Sequence, residues 1–156
     1  MTLWRIATAQ WALDRSCDGT RLYGGRWTPI GFPALYAGTT IELCALEKFV
    51  HLSGTAVPPM VLVAIDVPDL AAPVFQPAVV DLPDDWAALP APASTQEIGK
   101  RWLASPDAFM MLVPSAVIPE ALNAVINPAH PAYANVTLNV GREFRFDARM
   151  TDFEGG

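Results

Sequence analysis

Two side chains in the first third of the chain have the type and setting needed to bind a charged ligand. Arg26 follows Gly24 and Gly25, where the backbone can approach a ligand closely and a guanidinium can donate a fork of hydrogen bonds to phosphate oxygens. The alternative is an ordinary turn with a surface arginine, because no glycine-rich phosphate-binding fingerprint accompanies it. Tyr36 ends a predicted strand beside Gly38, where its ring either stacks on a planar or cationic group or packs in the core.

A glutamate and a serine are the other candidates. Glu47 lies on a predicted helix with Lys48 and His51, at the border of the apolar arc, so its carboxylate lies at the edge of the core; a solvated helix face is the alternative. Ser115 lies in a turn between two prolines and lacks the surroundings of a hydrolase nucleophile, so we interpret it as a positioning hydroxyl. Only His51 and His130 are available as histidine bases, and neither is near a candidate nucleophile in sequence, which argues against a catalytic triad.

The composition limits the classes of protein to which the chain can belong. Its 156 residues fit a single domain, 1–156, and 52% hydrophobic residues supply a packed core. Ten basic and sixteen acidic residues give a net charge of −6, which excludes a stand-alone nucleic-acid binder, because such binding depends on Lys and Arg to neutralise phosphates. Two cysteines and two histidines without zinc-type spacing argue against a metal centre and a disulfide framework.

The distribution of charge and hydropathy gives two further expectations. Residues 1–60 carry five basic and four acidic groups, whereas residues 61–100 carry one basic and six acidic groups, so a site for an anion is expected in the first third. No apolar run reaches the roughly 18 residues of a membrane span, and the N-terminus does not have the pattern of a signal peptide. A cytoplasmic protein is therefore expected.

The apolar patterns predict a mixed domain. Strands are predicted at 3–9, 34–37, 60–67, 108–113, 121–126 and 142–146. The proline-rich segment 68–93 excludes long helices and contains short extended runs at Val74-Phe75 and Val79-Val80. Together these runs predict a mixed α+β fold of packed, partly antiparallel sheets.

Two helices are predicted from their start signals. The first spans 40–53, where Thr39 and Glu42 form a capping box ahead of a helical apolar pattern. The second spans 95–104, where Ser94 is the predicted cap and Glu97 follows three residues later. Glu47 lies on the first of these helices.

The ordered set of motifs along the chain resembles the RES domain. The pieces that carry the resemblance are Leu3-Trp4-Arg5-Ile6, Gly24-Gly25-Arg26-Trp27, Ala34-Leu35-Tyr36-Ala37, Ala45-Leu46-Glu47 with His51, Pro114-Ser115 with Asn123 and Asn127-Pro128, and Phe144-Arg145-Phe146-Asp147. The family is named for an arginine, a glutamate and a serine, which match Arg26, Glu47 and Ser115. The spacing from Arg26 through Tyr36 to Glu47 also matches, and the resemblance covers nearly the whole chain.

This resemblance implies a fold, an activity and a partner. The α+β fold it implies is similar to that of ADP-ribosyltransferases, with packed, mostly antiparallel sheets and flanking helices. The activity is that of a toxin of a bacterial type II toxin–antitoxin system that consumes NAD, either splitting nicotinamide from ADP-ribose, as a glycohydrolase or phosphorylase, or passing ADP-ribose to an acceptor. The implied partner is an Xre-type helix-turn-helix antitoxin that blocks the active site and binds DNA for the complex, in which the toxin can form a homodimer. NAD is the substrate and no metal is implied.

The resemblance also assigns roles to residues. By this resemblance, Glu47 would stabilise the positive charge that develops on the ribose as its bond to nicotinamide breaks, or orient the ribose hydroxyls and the attacking group. Arg26 binds the pyrophosphate, Tyr36 and Trp27 offer aromatic surface for NAD, and Ser115 hydrogen-bonds the ribose or nicotinamide.

Two other functions remain open at this stage. One is ADP-ribosylation of a specific macromolecule, and the other is a catalytically inactive co-regulator bound to the antitoxin. The intact set of Arg26, Tyr36 and Glu47 argues against the inactive form. His51, one helical turn after Glu47, either tunes the carboxylate or is a plain surface histidine.

Overall fold

The computed structural model describes residues 1–52, 57–69 and 73–151. The strands in these ranges are β1 (Thr2–Thr8), β2 (Leu35–Gly38), β3 (Met60–Asp66), β4 (Val74–Phe75), β5 (Met110–Pro114), β6 (Leu122–Ile126) and β7 (Thr137–Phe144). The α-helices are α1 (Asp18–Tyr23), α2 (Ile41–Val50), α3 (Ala93–Leu103) and α4 (Ala148–Thr151), and short 3₁₀ helices span Ala9–Trp11, Val79–Asp81 and Pro131–Asn135. None of these described helices has the length and apolar character needed to cross a membrane. The predicted mixture of strands and helices is confirmed.

The described strands form one sheet with a weak joint inside it. Their order is β4-β5-β6-β2-β1-β3-β7, and all neighbours are antiparallel except β4 and β5. β1 and β3 pair along their whole length, whereas β1 and β2 are joined only where Trp4 faces Gly38. This joint, which we call the seam, separates a first block (β4, β5, β6 and β2) from a second block (β1, β3 and β7). The predicted antiparallel packing is confirmed, in a single sheet made of two blocks.

Helices α2 and α3 cover the same face of the sheet. Tyr36 of β2, Val125 of β6 and Met111 of β5 lie opposite one another in register, so their side chains share this face. Around them pack Trp27 and Trp102, the latter from α3. Near α2 the core holds Ile6, Cys44, Met60, Leu62 and Phe144. The face between α2 and α3, which we call the site face, is where the candidate residues collect.

Helix α2 is capped one residue later than the sequence predicts. Thr40 is the cap residue, and its Oγ1 accepts a hydrogen bond from the Leu43 N–H at 3.1 Å. Thr39 Oγ1 instead donates to the Leu122 carbonyl at 2.8 Å, which fastens the start of α2 to β6. The helix ends at Val50, short of the predicted end at 53, a residue outside the described ranges.

Three other expectations differ from the structure. Val79–Asp81 is a 3₁₀ helix rather than an extended run. Ser94 lies inside α3, after the cap residue Pro92, and its hydroxyl donates to Asp85 Oδ1 at 2.8 Å instead of capping the helix. β7 spans Thr137–Phe144 rather than the predicted 142–146. In addition, helix α1 is present although the sequence patterns do not predict it.

Helix α2 lies directly over the seam. A Cβ at Gly38 would lie 2.6 Å from Cys44 Sγ, so the helix approaches β2 more closely than any side chain at residue 38 allows. On the other side of the seam, Cys44 Sγ donates to the Trp4 carbonyl of β1 at 2.9 Å. α2 therefore contacts both blocks, and the position of Glu47 depends on this contact.

We expect Gly38→Ala to lower the free energy of unfolding by about 1–3 kcal/mol, because the added methyl group must push α2 away from β2. Gly19→Ala is the matched control: no atom lies within 4 Å of a Cβ there, and alanine favours the helix over glycine, so stability rises by up to about 1 kcal/mol. Urea denaturation of both variants measures the difference. Equal stability of Gly38→Ala and the parent would contradict the close packing of α2 on the seam.

Candidate functional site

The Glu47 carboxyl group is held through one of its two oxygens. Oε1 accepts hydrogen bonds from Ser115 Oγ at 2.8 Å and from Asn123 Nδ2 at 2.6 Å. Oε2 receives no hydrogen bond from the described part of the chain. Glu47 is half-buried on α2, so its second oxygen remains available to a ligand while the first fixes the plane of the group.

Ser115 is a fully buried hydroxyl with every hydrogen-bonding position in use. It lies just after β5 and is 0% exposed. Its Oγ accepts hydrogen bonds from the backbone N–H groups of Val117 at 3.0 Å and Ile118 at 3.2 Å, and its O–H donates a hydrogen bond to Glu47. A hydroxyl has one donor and two acceptor positions, so Ser115 has none left for a ligand. Its geometry is that of a residue that orients Glu47.

Asn123 is a site residue that belongs to one of the RES-like motifs but to which the sequence assigns no role. It lies in β6 directly opposite Gly38 of β2 and Val113 of β5. That register puts it on the site face beneath the start of α2, within reach of Glu47. The only signal in the sequence is a single amide in the otherwise apolar strand Leu122–Ile126.

The Arg26 guanidinium is partly anchored by backbone carbonyls. Its Nη1 donates to Trp86 O at 2.8 Å and Ala88 O at 2.9 Å. Within residues 1–52, 57–69 and 73–151, no carboxylate forms an ion pair with it. The remaining N–H donors and the positive charge of the side chain are therefore open to an anion.

Tyr36 of β2 contacts residues 25–28, which we call the Arg26 segment, and so holds this segment against the sheet. Its hydroxyl accepts a hydrogen bond from the Trp27 N–H at 3.0 Å and lies 3.0 Å from Thr28 Oγ1. Gly25 packs against the same ring, since a Cβ there would lie 2.7 Å from the Tyr36 hydroxyl. Burial raises the pKa of Tyr36 to about 12, although these hydrogen bonds and the nearby Arg26 charge act in the other direction. The phenol is thus neutral near pH 7.

The raised pKa of Tyr36 predicts a loss of stability in alkali. An unfolded tyrosine ionises near pH 10, whereas the folded one resists ionisation to about pH 12. Between these values the unfolded state gains by releasing the proton, so the free energy of unfolding falls as pH rises, by at most about 1.4 kcal/mol per pH unit. We expect Tyr36→Phe to unfold at a lower temperature than the parent at pH 8, and the gap to narrow by pH 11. A constant gap in melting temperature would refute the assignment.

The other sequence candidates lie at the margins of the site. Trp27 is 2% exposed, so its indole is part of the core and its backbone N–H is the group that meets Tyr36. His51 is exposed at the end of α2, and its Nδ1 lies 2.7 Å from the Glu47 backbone carbonyl rather than the carboxylate. His130 caps the 3₁₀ helix that begins at Pro131. No group of three His, Cys, Asp or Glu suited to a metal ion occurs in the described ranges.

The site face thus carries an oriented carboxyl group, a guanidinium held on one side by backbone carbonyls, and the ring of Tyr36. Tyr36 and Gly38 lie two residues apart on β2, so they point to the same face, and Asn123 lies opposite Gly38. Arg26 joins this face through the bond from the Trp27 N–H to Tyr36, and Glu47 joins it through Asn123. These groups suit a ligand with an anionic part and a part that becomes cationic during reaction.

Comparison with known proteins identifies the class to which this fold and site belong. The family model described as the RES domain matches residues 2–148, so the chain belongs to the RES domain family. Among its relatives are the "Prs ADP-ribosylating toxin" of Sphingobium sp. (strain YBL2), 37% identical, and "Toxin Res" of Yersinia enterocolitica (strain NCTC 13174 / 8081), 33% identical. The alignments cover 96% of this chain in both cases, and 96% and 99% of the respective relatives.

A solved structure shares the fold. It is a chain of the crystal structure of the M. tuberculosis MbcT–MbcA toxin–antitoxin complex, which matches with a TM-score of 0.68 and 22% identity. The match covers 96% of this chain and 86% of the other. The predicted fold class is confirmed by this likeness.

Proposed function

We propose that the chain is the toxin of a type II toxin–antitoxin system and that it cleaves the bond between nicotinamide and ribose in NAD. The observation that carries the proposal is the Glu47 carboxyl group, held through Oε1 by Ser115 and Asn123 with Oε2 open, on the same sheet face as Arg26. Membership of the RES family and the names of the relatives support it.

The chemistry needs a fixed negative group beside the ribose. As the bond to nicotinamide lengthens, the ribose carbon gains oxocarbenium-like positive charge, and both bonding electrons leave with nicotinamide. In the proposed role, Glu47 Oε2 stabilises that charge or orients a ribose hydroxyl. Its plane is already set by Ser115 and Asn123, so little reorganisation is needed during reaction.

The remaining residues bind the substrate. Arg26 offers its unbonded N–H groups to the pyrophosphate, and the half-buried Tyr36 offers its ring to nicotinamide, which is cationic until it leaves. Trp27 is buried, and it supports NAD binding through the hydrogen bond from its backbone N–H to the Tyr36 hydroxyl. Ser115 acts by holding Glu47 rather than by touching NAD, since its hydrogen bonds are already used.

A second candidate function is transfer of ADP-ribose to a protein. The specific observation in its favour is the relative named "Prs ADP-ribosylating toxin" at 37% identity. The same oriented carboxyl group serves both reactions, which differ only in the acceptor that attacks the ribose carbon.

The test is to follow NAD labelled in its adenosine half together with nicotinamide release. Release with free ADP-ribose supports hydrolysis, release with a phosphorylated ADP-ribose in phosphate buffer supports phosphorolysis, and label on protein in a lysate supports the transferase. A folded protein, free of antitoxin, that leaves NAD intact both alone and in a lysate would overturn both functions and favour an inactive co-regulator.

The proposal includes a partner. A net charge of −6 is unsuited to DNA, so we propose that an Xre-type helix-turn-helix antitoxin binds the operator for the complex. The shared fold with a chain of a toxin–antitoxin complex supports an antitoxin partner. A toxin homodimer in that complex and a cytoplasmic location remain parts of the proposal. Size-exclusion chromatography with light scattering of the co-expressed pair measures the stoichiometry.

A further inference from the structure

Helix α3 is packed against the backbone of the Arg26 segment. A Cβ at Gly99 would lie 1.6 Å from the Trp27 carbonyl oxygen, so the helix and the segment approach backbone to backbone. One turn earlier, Thr95 is 0% exposed, and its Oγ1 donates to the Arg26 carbonyl at 2.7 Å, sharing its proton with Pro92 O at 2.9 Å. The Gln96 amide donates to the Gly25 carbonyl at 3.1 Å.

The segment that precedes α3 holds the Arg26 side chain. Trp86 and Ala88 provide the two carbonyls that accept from Nη1. This segment is itself joined to α3 by the hydrogen bond from Ser94 Oγ to Asp85. Backbone and side chain of Arg26 are therefore held by one continuous stretch of chain, residues 85–99, which we call the bracket.

We propose that the bracket presets Arg26 for its ligand, with Thr95 as the positioning residue for the guanidinium. This inference rests on the proposed binding of the NAD pyrophosphate by Arg26. A free arginine side chain loses considerable rotamer freedom when it binds an anion, and a guanidinium already ordered by two carbonyls loses less. Thr95 acts through the backbone of Arg26. When its hydroxyl is removed, the Arg26 Cα moves and the guanidinium shifts away from the Trp86 and Ala88 carbonyls.

The two threonine variants separate this role from general packing. Thr95→Val keeps the shape and removes the donor, whereas Thr95→Ser keeps the donor and removes a methyl group. We expect Thr95→Val to raise the KM for NAD about three- to tenfold with kcat within about twofold, and Thr95→Ser to restore the parent KM. Glu97→Gln, an exposed neighbour on α3, is the control and leaves both constants unchanged. If Thr95→Val does not fold, Gln96→Ala, which removes the donor to Gly25, replaces it with a smaller expected rise.

A second readout does not depend on catalysis. In ¹⁵N-labelled protein without ligand, the guanidinium N–H signals of Arg26 are expected to be resolved in the parent and Thr95→Ser, and broadened by exchange in Thr95→Val. In an Arg26→Ala background, Thr95→Val should cause no further loss of NAD affinity by calorimetry.

The outcomes distinguish the inference from the proposed function. Unchanged Arg26 signals in a folded Thr95→Val protein would overturn the proposed role of Thr95 in positioning Arg26, whatever the enzyme activity. Changed signals with an unchanged KM in an NAD-consuming parent also overturn it, and so does a Thr95→Val effect that persists in Arg26→Ala. A parent that neither binds nor consumes NAD refutes the proposed function together with this inference, even if the Arg26 signals show the bracket itself to be intact.

Discussion

Glu47→Gln is expected to reduce nicotinamide release from NAD roughly a hundredfold or more, with no change in fold. The amide oxygen of glutamine can still accept the hydrogen bonds from Ser115 and Asn123, so the packing around the side chain is preserved. The substitution removes the negative charge that stabilises the oxocarbenium-like ribose. Nicotinamide release measured by chromatography, with circular dichroism and melting temperature as checks, gives the comparison.

Glu42→Gln is the matched control for this variant. Glu42 is an exposed residue in the first turn of the same helix, so the substitution removes one negative charge from α2 without touching the site. It should leave nicotinamide release within about twofold of the parent. A folded Glu47→Gln protein as active as Glu42→Gln would remove the catalytic role from Glu47. Toxicity on induction without antitoxin should follow the same order.

Arg26→Lys should raise the KM for NAD by about ten- to a hundredfold and change kcat much less. Lysine keeps the positive charge but loses the planar fork, and its ammonium group, with three N–H donors, has only one left for a pyrophosphate after binding the Trp86 and Ala88 carbonyls. The loss is therefore in binding rather than in the bond-breaking step. Initial rates over a range of NAD concentrations separate the two constants.

Arg21→Lys is the comparison for that experiment. Arg21 is an exposed arginine of α1 in a pair with Asp18 at 2.8 Å, a contact that lysine can replace. Its KM should equal that of the parent, since exposed pairs contribute little. If Arg26→Lys shows the parent KM as well, the pyrophosphate role of Arg26 is wrong and the anion site lies elsewhere.

The sequence is informative wherever the pattern is local. The apolar runs at 60–67 and 3–9 predict β3 and β1, and both strands are present. The helix that carries Glu47 was found from its start signal, with an error of one residue in the cap. That error has a physical cause: two adjacent threonines can each cap a helix, and only the contact of Thr39 with Leu122 of β6 decides between them.

The support around the candidate residues could not be predicted in this way, because it is made by distant parts of the chain. Asn123 meets Glu47 across 76 positions, and Thr95 meets Arg26 across 69. A lone amide in an apolar strand is the only signal for Asn123, and Thr95 has no signal because it is a common polar residue in an ordinary helix. Ser115 was interpreted as a positioning hydroxyl from its local sequence, but only the structure shows that the group it contacts is Glu47.

The seam bears on how the molecule opens. Tyr36, Asn123 and the bracket lie in the first block or pack over it, whereas Glu47 lies on α2, which spans the seam. The strands of the second block contribute none of the candidate residues in the described ranges. With one residue pair joining β1 to β2, backbone hydrogen bonds on the two sides need not break together. Native-state amide exchange should therefore resolve two cooperative units, with β1, β3 and β7 in one and β2, β5 and β6 in the other. A ligand bound at Arg26 and Glu47 would slow exchange most in the unit of β2, β5 and β6, and less in the unit of β1, β3 and β7, which α2 also contacts.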